Sequence, residues 1–421
     1  MKNDKLLIVF GIILMIWGGL VVFGRDNKED KEDPVKINAN LNNEFYLDMV
    51  KVVNERETGN YLISPYSIEI ALNMLKEGAE GDTYKEIDKV VGKRNIPYFE
   101  VKDRISVANA LFIKDSEKDN ISKDYINKLQ TSYRSDLIYD VFDTPDKINN
   151  WVNEKTYKMI PKILDDMSKD FVLGLANALA IDVEWRMPFD CSKTNKSDFT
   201  TSNGTKKVEM MNNTYGDISY ILSDNEEGII IPYMSYKSNG EKDYDNTSDS
   251  TTLEFIAIKP KNIDIRTYIN NLNNEVLNNI IDSKKKTAEN EEVILKLPRF
   301  EYDYSDDYFM DDLESLGIKS VFDPNLANLS KMKNKDCDDD YYVNEAIHMT
   351  HISLNEKGTK AAAVTYFGLN KASISMDEIK YINIEFNKPF MYMIRDTKTK
   401  EILFFGVVES PNEWKGNTCS E

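Results

Sequence analysis

The chain has 421 residues, of which 41% are hydrophobic and 11% aromatic, which suffices for a large packed core and excludes a disordered protein. Its 53 Lys and Arg against 72 Asp and Glu give a net charge of −19. Because nucleic acids and heparin-like polyanions are bound largely by basic surfaces that release counterions, this charge argues against both classes of partner.

Histidine and cysteine are scarce, and their spacing limits the chemistry that the chain supports. His348 and His351 stand three apart in a predicted strand, where an odd offset places side chains on opposite faces, so they cannot share a metal ion. Cys191, Cys337 and Cys419 lie far apart and match no metal-binding spacing, so we expect three unpaired thiols. The sequence contains no phosphate-binding glycine loop and no nucleophile motif. We therefore expect no metal, no cofactor and no enzymatic activity.

The N-terminus carries a separate hydrophobic segment. Two lysines precede an apolar run, Leu6 to Gly24, which is close to the ~20 residues that cross a bilayer as a helix. The run is longer than the roughly 7–15 apolar residues of a secretory signal, and it lacks a small-residue cleavage site. We predict a signal anchor at 1–24 and a charged linker at 25–37, with a cleaved signal as the alternative. The folded domain, 38–421, would lie on the extracellular face of the cell membrane, or be secreted if the segment is cleaved.

Beyond the linker, predicted helices and strands intermix without the βαβ rhythm of a parallel sheet. Apolar residues at helical spacing predict a helix from Asn38 to Glu57. A short strand at 60–65 leads into a second helix that starts at Pro65 and ends at Gly78. Later segments are predicted as a helix at 144–152, strands at 252–258, 293–297, 347–354 and 382–386, a hairpin of 389–396 with 401–408, and a polar surface loop at 234–251. The predicted fold class is therefore α+β.

The most informative segment is 355–375, NEKGTKAAAVTYFGLNKASIS. If it entered a sheet as a strand, every second side chain would have to fit beneath the sheet. One alternating set is entirely small or apolar: Thr359, Ala361, Ala363, Thr365, Phe367 and Leu369. The other set contains the only charge, Lys360. This pattern predicts a loop that can become a half-buried strand; an Ala-rich helix or an ordinary edge strand would fit the same residues.

Residues 356–365, EKGTKAAAVT, fit the pattern E-x-G-T-x-A-A-A-x-T. With this pattern the chain resembles the serpins, serine protease inhibitors of the conformational-trapping type. Further motifs of that family follow in its order: NYLISPYS at 60–67, ALNM at 71–74, GAEGDT at 78–83, ANALF at 108–112, LANA at 175–178, LPRF at 297–300, LGI at 316–318, NKPF at 387–390 and LFFG at 403–406. The resemblance covers nearly the whole chain. It implies the α+β serpin fold, with three β-sheets, eight or nine helices and an exposed reactive-centre loop at about 356–380.

The resemblance also implies a function and a set of site residues. A serine endopeptidase, or a cysteine endopeptidase by the same trapping, would cleave the loop of a monomeric inhibitor and be held as a covalent acyl-enzyme while the loop enters the main sheet. The implied hinge consists of Glu356, Gly358, Thr359, Ala361, Ala362, Ala363 and Thr365. The implied sheet-opening cluster consists of Ser64, Ser67, Asn177, His348 and Trp185. The alternative is a non-inhibitory surface protein with the same fold that serves in binding or adhesion, against which the intact hinge argues.

The position of the cleaved bond follows from the spacing in the family. Counted from Gly358, the reactive bond joins Ala372 to Ser373, and the small Ala372 suits elastase-like proteases. Lys371 would instead suit trypsin-like enzymes, and Met376 is a further alternative. These alternatives stay open because the segment after the bond is longer than the family commonly has.

The chain departs from the family pattern at a few positions. Ala180 and Ile181 replace two aromatic residues, and Lys158 replaces a glycine. We expect these changes to alter the packing between the main sheet and the helix that covers it. The composition, rich in Lys, Asn and Ile, together with the predicted anchor, favours a bacterial, membrane-anchored member.

Overall fold

The computed structural model describes residues 43–169, 171–337, 340–359 and 378–414. The helices within these ranges are α1 (Asn43–Arg56), α2 (Pro65–Glu77), α3 (Gly81–Val91), α4 (Lys123–Tyr133), α5 (Asp146–Lys155), α6 (Ile265–Asn270), α7 (Asn274–Asp282) and α8 (Phe309–Ser315). None of these helices is long and apolar enough to cross a membrane. The predicted anchor, 1–24, and the predicted linker, 25–37, lie outside the described residues.

The same ranges contain twenty strands. They are β1 (Tyr61–Ile63), β2 (Ile105–Lys114), β3 (Asp136–Asp140), β4 (Leu173–Ile181), β5 (Val183–Glu184), β6 (Asn195–Thr201), β7 (Gly204–Tyr215), β8 (Ser219–Leu222), β9 (Glu226–Pro232), β10 (Ser235–Tyr236), β11 (Lys242–Asp243), β12 (Leu253–Pro260), β13 (Lys285–Lys286), β14 (Glu291–Pro298), β15 (Phe300–Asp306), β16 (His348–Asn355), β17 (Gly358–Thr359), β18 (Lys380–Glu385), β19 (Phe390–Asp396) and β20 (Ile402–Val408).

The strands build three large sheets and one small hairpin. The seven-stranded sheet has the order β1-β20-β19-β12-β9-β8-β13, and the four-stranded sheet has the order β18-β14-β7-β6. The main sheet joins β3-β2-β4 to β5-β17-β16-β15, because only Asp182 separates β4 from β5. β10 and β11 pair with each other alone. The prediction of an α+β fold with three sheets and eight or nine helices is confirmed for the described part of the chain.

The main sheet packs on the seven-stranded sheet. Every residue of β19 and β20 is buried, and the two strands pair as the predicted hairpin. The ring of Phe300 in β15 lies 5.2 Å from that of Tyr392 in β19, and the hydroxyls of Tyr302 and Tyr392 are 2.7 Å apart. A buried Tyr hydroxyl needs such a partner. The large core between these two sheets fixes their relative position.

Helix α5 covers the opposite face of the main sheet. Its Trp151 ring meets Phe112 of β2 edge to face at 5.7 Å, and the Trp151 indole N–H donates to Asp136 of β3 at 2.8 Å. Ile148 and Val152 are buried in the same smaller core. The helix therefore lies over β2 and β4, and the chain after it runs over the centre of the main sheet.

The residue that replaces a family glycine lies just after α5. Tyr157 and Lys158 both have left-handed backbone conformations, with φ of +51° and +63°. The Lys158 N–H donates to the carbonyl of Asn153, which closes the helix end. A side chain costs about 1–2 kcal/mol in this conformation, whereas glycine adopts it freely. Lys158 therefore places backbone strain at the end of the covering helix, where a glycine would have none.

We expect Lys158→Gly to raise the free energy of unfolding by about 0.5–1 kcal/mol, because it relieves the left-handed strain at a helix end. The matched control is Lys147→Gly, an exposed position within α5 where glycine should cost about 1 kcal/mol. Urea denaturation of the two variants and the parent checks that Lys158→Gly raises the free energy of unfolding and that Lys147→Gly lowers it. Destabilisation by both variants would show that Lys158 carries no strain.

The structure refines one expectation from the sequence and contradicts another. Segment 234–251 is largely exposed, as predicted, but it also forms the β10–β11 hairpin and buries Tyr236 almost completely. Several of its polar residues hydrogen-bond to one another, which composition alone does not show. Cys191 is disulfide-bonded, so the expectation of three unpaired thiols fails there, whereas Cys337 is free.

Candidate functional site

Two of the implied hinge residues, Gly358 and Thr359, form a strand of the main sheet. Gly358 and Thr359 pair with Asn355 and Leu354 of β16 on one side and with Glu184 and Val183 of β5 on the other. A Cβ atom at Gly358 would overlap the carbonyl oxygen of Val183, so only glycine permits this close approach. The Thr359 side chain is 3% exposed, and its hydroxyl shares a 2.6 Å hydrogen bond with that of Tyr233. Gly358 and Thr359 therefore lie within the sheet in the uncut chain.

Beyond Thr359, no ladder joins β4 to β16 within the described residues, and a narrow opening lies between the two strands. The opening is lined by Leu179, Ala180 and Ile181 of β4, by Ile352 and Ser353 of β16, and by Met159 and Ile160 from the segment after α5. Ala180 and Ile181, the two residues that replace aromatics, thus lie on the wall of this slot. A strand that continued from Thr359 would run down it between β4 and β16.

A buried ion pair holds Glu356, the first residue of the implied hinge. The Arg299 guanidinium donates to the Glu356 carboxylate, with Nε 2.6 Å from Oε1, and both side chains are about 5% exposed or less. The Thr194 hydroxyl donates to the same oxygen. The ring of Trp414 covers the guanidinium at 5.4 Å. The sequence predicts a role for Glu356 but gives no signal for Arg299, Thr194 or Trp414 as its partners.

Trp185 lies at the hinge. Its indole N–H donates to the Asn355 carbonyl and its backbone N–H to that of Lys357, each at 2.8 Å. Its ring stacks on Tyr233 with centroids 4.4 Å apart. Trp185 thus supports the turn from β16 into β17, and no hydrogen bond among the described residues links it to the other four members of the predicted sheet-opening cluster.

Those other four members do come together, beneath the opening strands. The Ser64 N–H donates to His348 Nε2 at 3.1 Å, and the Ser64 hydroxyl accepts from the Ser67 N–H. The Ser67 hydroxyl donates to the Asn177 side-chain carbonyl, and the Asn177 amide donates to Asn109 at 2.7 Å. Ser64 also caps α2, so the helix start and the sheet share one hydrogen-bond network.

Asn109 is the member of this network that the prediction missed. It faces Asn177 directly across the β2–β4 ladder, and each asparagine is flanked by alanines in the sequence. The repeated Ala-Asn-Ala at 108–110 and 176–178 is the signal that could have identified it.

A buried charge cluster lies beside His348. Arg56, at the end of α1, donates to Asp306 of β15 and to Asp312 of α8, each at 2.7 Å. His348 faces Asp306 across the β15–β16 ladder. Burial, and then the Asp312 carboxylate, raise the pKa of Asp306 to about 7. Burial lowers the pKa of His348 to about 4, so its ring is neutral at pH 7 and accepts from Ser64.

We expect Asp306→Asn to stabilise the chain increasingly, relative to the parent, as the pH rises from about 5 to about 8. A carboxyl whose folded-state pKa is raised contributes stability that is fully present below its unfolded pKa of about 3.9 and is lost as the pH rises through 7. Asparagine keeps an acceptor for Arg56 and has no proton to lose. Urea midpoints of both chains across this range check the slope. The neutral ring of His348 stabilises both chains above about pH 6.5, and this contribution is lost at lower pH. Because both chains contain His348, the effect cancels in the difference between their urea midpoints. A pH-independent difference would contradict the raised pKa.

The remaining predicted site residues belong to the distal part of the loop. Ala361, Ala362, Ala363, Thr365, Lys371, Ala372, Ser373 and Met376 lie outside the described residues. The chain resumes in β18, which pairs in parallel with β14 at the edge of the four-stranded sheet. The loop therefore connects the main sheet to the four-stranded sheet.

Within the described ranges, no group of three or more His, Cys, Asp or Glu side chains is arranged to hold a metal ion.

Comparison with known proteins agrees with this architecture. The family model described as serpin (serine protease inhibitor) matches residues 40–411. An uncharacterized serpin-like protein of Methanosarcina mazei is 26% identical over 99% of this chain and 100% of its own length. The leukocyte elastase inhibitor of Xenopus tropicalis is 28% identical over 87% of this chain and 97% of its own.

A solved structure gives the same result. The native state of the thermophilic serpin tengpin matches with a TM-score of 0.73 and 30% identity, covering 92% of this chain and 96% of that one. Members of this family generally inhibit proteases rather than catalyse reactions. With the fold, the hinge strand and the family match in agreement, this chain belongs to the serpin family.

Proposed function

We propose that the chain is a suicide-substrate inhibitor of a serine endopeptidase, with cysteine endopeptidases open to the same trapping. The observation that carries this proposal is that Gly358 and Thr359 already form a strand between β16 and β5, at one end of the slot between β4 and β16. A loop anchored in this way needs no separate nucleation step before it enters the sheet. The chain supplies the loop that is cleaved and the sheet that receives it, and the protease supplies the catalytic residues.

The register of the hinge strand predicts how insertion would proceed. Continued downward, it would pair Ala361 with Ile181 of β4 and Ile352 of β16. Ala361, Ala363 and Thr365 would then face the same side as the buried Thr359, which requires small side chains. The protease nucleophile attacks the carbonyl of Ala372, the amine of Ser373 leaves, and the ester-linked protease is carried along by the inserting strand.

The energetics favour insertion once the loop is cut. About a dozen new ladder hydrogen bonds at ~0.5–1.5 kcal/mol each, together with the burial of about six side chains, give roughly 10 kcal/mol or more. The uncut chain must then persist behind a kinetic barrier rather than as the most stable arrangement. Distortion of the attached protease before the ester is hydrolysed would complete the trap.

The target class follows from the residue before the cleaved bond. Ala372 suits an elastase-like primary pocket, and the leukocyte elastase inhibitor among the relatives supports that choice. Cleavage after Lys371 would indicate a trypsin-like target, and cleavage at Met376 a shifted register. Sequencing the peptide released when the complex forms distinguishes the three bonds.

One gel tests the inhibitory function. The folded domain is mixed with elastase-, trypsin-, subtilisin- and papain-like proteases, and we expect an SDS-resistant complex with at least one of them. A complete absence of complexes would overturn the proposal in favour of a non-inhibitory binding or adhesion protein.

We also propose an extracellular location, on the membrane through residues 1–24 or secreted if that segment is cleaved. The disulfide bond of Cys191 favours an oxidising compartment. Labelling of intact cells with a membrane-impermeant reagent should modify the folded domain, and protection of that domain would place it inside the cell.

A further inference from the structure

Segment 234–251, hereafter the brace, connects β9 to β12 and packs against β5 at the hinge. The Met234 N–H donates to the Glu184 carbonyl at 2.7 Å, and the Glu184 N–H donates to the Tyr236 hydroxyl at 3.3 Å. The Lys242 ammonium lies 2.6 Å from the Glu184 carboxylate. The backbone N–H, the carbonyl and the side chain of Glu184 are thus all bound by one segment.

The opposite edge of β5 holds the hinge. Successive residues of a strand direct their backbone groups to alternate edges. Glu184 therefore bonds to the brace, while its neighbours Val183 and Trp185 face the turn and strand that contain Lys357, Gly358 and Thr359. β5 is only two residues long, so its position depends on both edges.

The brace is itself a fixed structure. Its Asp243 carboxylate accepts from the Thr247 N–H and hydroxyl, each at 2.6 Å, and from the Ser250 hydroxyl. Arg104 stacks over the buried Tyr236 ring at 5.1 Å and lies 3.7 Å from Glu184. Lys398, in the β19–β20 turn, donates to the Ser248 carbonyl at 2.8 Å. The brace therefore ties β5 to the β19–β20 turn of the seven-stranded sheet.

We propose that the brace is a positioning element that keeps β5 apart from β16, so that Gly358 and Thr359 stay in the sheet and loop insertion starts without delay. Lys242 and Tyr236 are its positioning residues, acting through Glu184. Loosening the brace lets β5 close on β16 and releases the hinge. Insertion after cleavage then slows, and a larger share of the inhibitor is hydrolysed as substrate. This role in trapping rests on the proposed inhibitory function, whereas the hold on the hinge does not.

Two measurements on the full chain test the proposal. In Lys242→Ala, we expect hydrogen exchange at 183–184 and 358–359 to be about fivefold faster, the size expected for loss of one half-buried ion pair. Lys242→Arg should restore protection. Lys237→Ala is the matched control, because it removes the same charge from an exposed position on the brace. Equal exchange in Lys242→Ala and Lys237→Ala would overturn the proposal, whether or not any protease is trapped.

The second measurement uses a protease that the parent traps. Lys242→Ala should raise the ratio of cleaved inhibitor to covalent complex about fivefold, with no change in the rate of initial cleavage. An unchanged ratio would overturn the role in insertion. A failure of the parent to trap any protease would instead overturn the proposed function, and the exchange measurement would still decide whether the brace holds the hinge.

Discussion

Thr359→Arg is expected to abolish covalent trapping while leaving cleavage of the loop intact. Thr359 lies in the sheet between β5 and β16, is 3% exposed and shares a hydrogen bond with Tyr233. An unpaired guanidinium at that position loses several kcal/mol of hydration, so the hinge is expelled. Insertion competes with hydrolysis of the acyl-enzyme, and a barrier raised by about 3 kcal/mol shifts that competition by more than about 100-fold.

The measurement is the fraction of protease found in an SDS-resistant complex, against the fraction of inhibitor cleaved. Thr359→Ser serves as the matched control, because it keeps the hydroxyl that bonds to Tyr233, and it should trap protease as the parent does. Equal trapping by the Arg variant would show that Thr359 does not have to enter the sheet.

Glu356→Ala is expected to lower the free energy of unfolding by about 3–5 kcal/mol. The Glu356 carboxylate is the partner of Arg299, which is 3% exposed and lies under Trp414. The variant removes the carboxylate while the guanidinium stays buried, and truncating one member of a buried ion pair costs far more than the pair contributes. The loss should also loosen the turn that Trp185 supports, because Glu356 lies between Asn355 and Lys357, whose carbonyls accept from Trp185.

Denaturant midpoints of the variant and the parent check this prediction. Glu345→Ala removes the same group from an exposed position and should change the stability by less than about 0.5 kcal/mol. If the two variants behave alike, the Arg299–Glu356 pair does not stabilise the region around the hinge.

Local patterns in the sequence predict much of the fold. The apolar spacing before Glu57, the Ser64-Pro65 helix start and the fully apolar β19–β20 hairpin each encode their structure within a few residues. The same holds for the hinge, because Gly358 and the alternating small residues after it are a local requirement of strand insertion. Such elements need no knowledge of their neighbours.

The partners of the hinge could not be predicted in this way. Arg299 and Glu356 are separated by 57 residues, and Tyr233 and Thr359 by 126. Nothing near either residue indicates its partner, because tertiary packing alone brings them together. Composition predicts the exposure of segment 234–251 but not its hairpin, in which Asp243 accepts from Thr247 and Ser250.

Entry of the cleaved loop into the slot between β4 and β16 can be tested most directly by melting. The intact chain and a chain cut once within the loop are followed by circular dichroism under the same conditions. Because insertion adds a central strand worth roughly 10 kcal/mol or more, the cut chain should melt higher by about 10 °C or more. A cut chain that melts at the same temperature as the intact one, or lower, would contradict insertion of the loop.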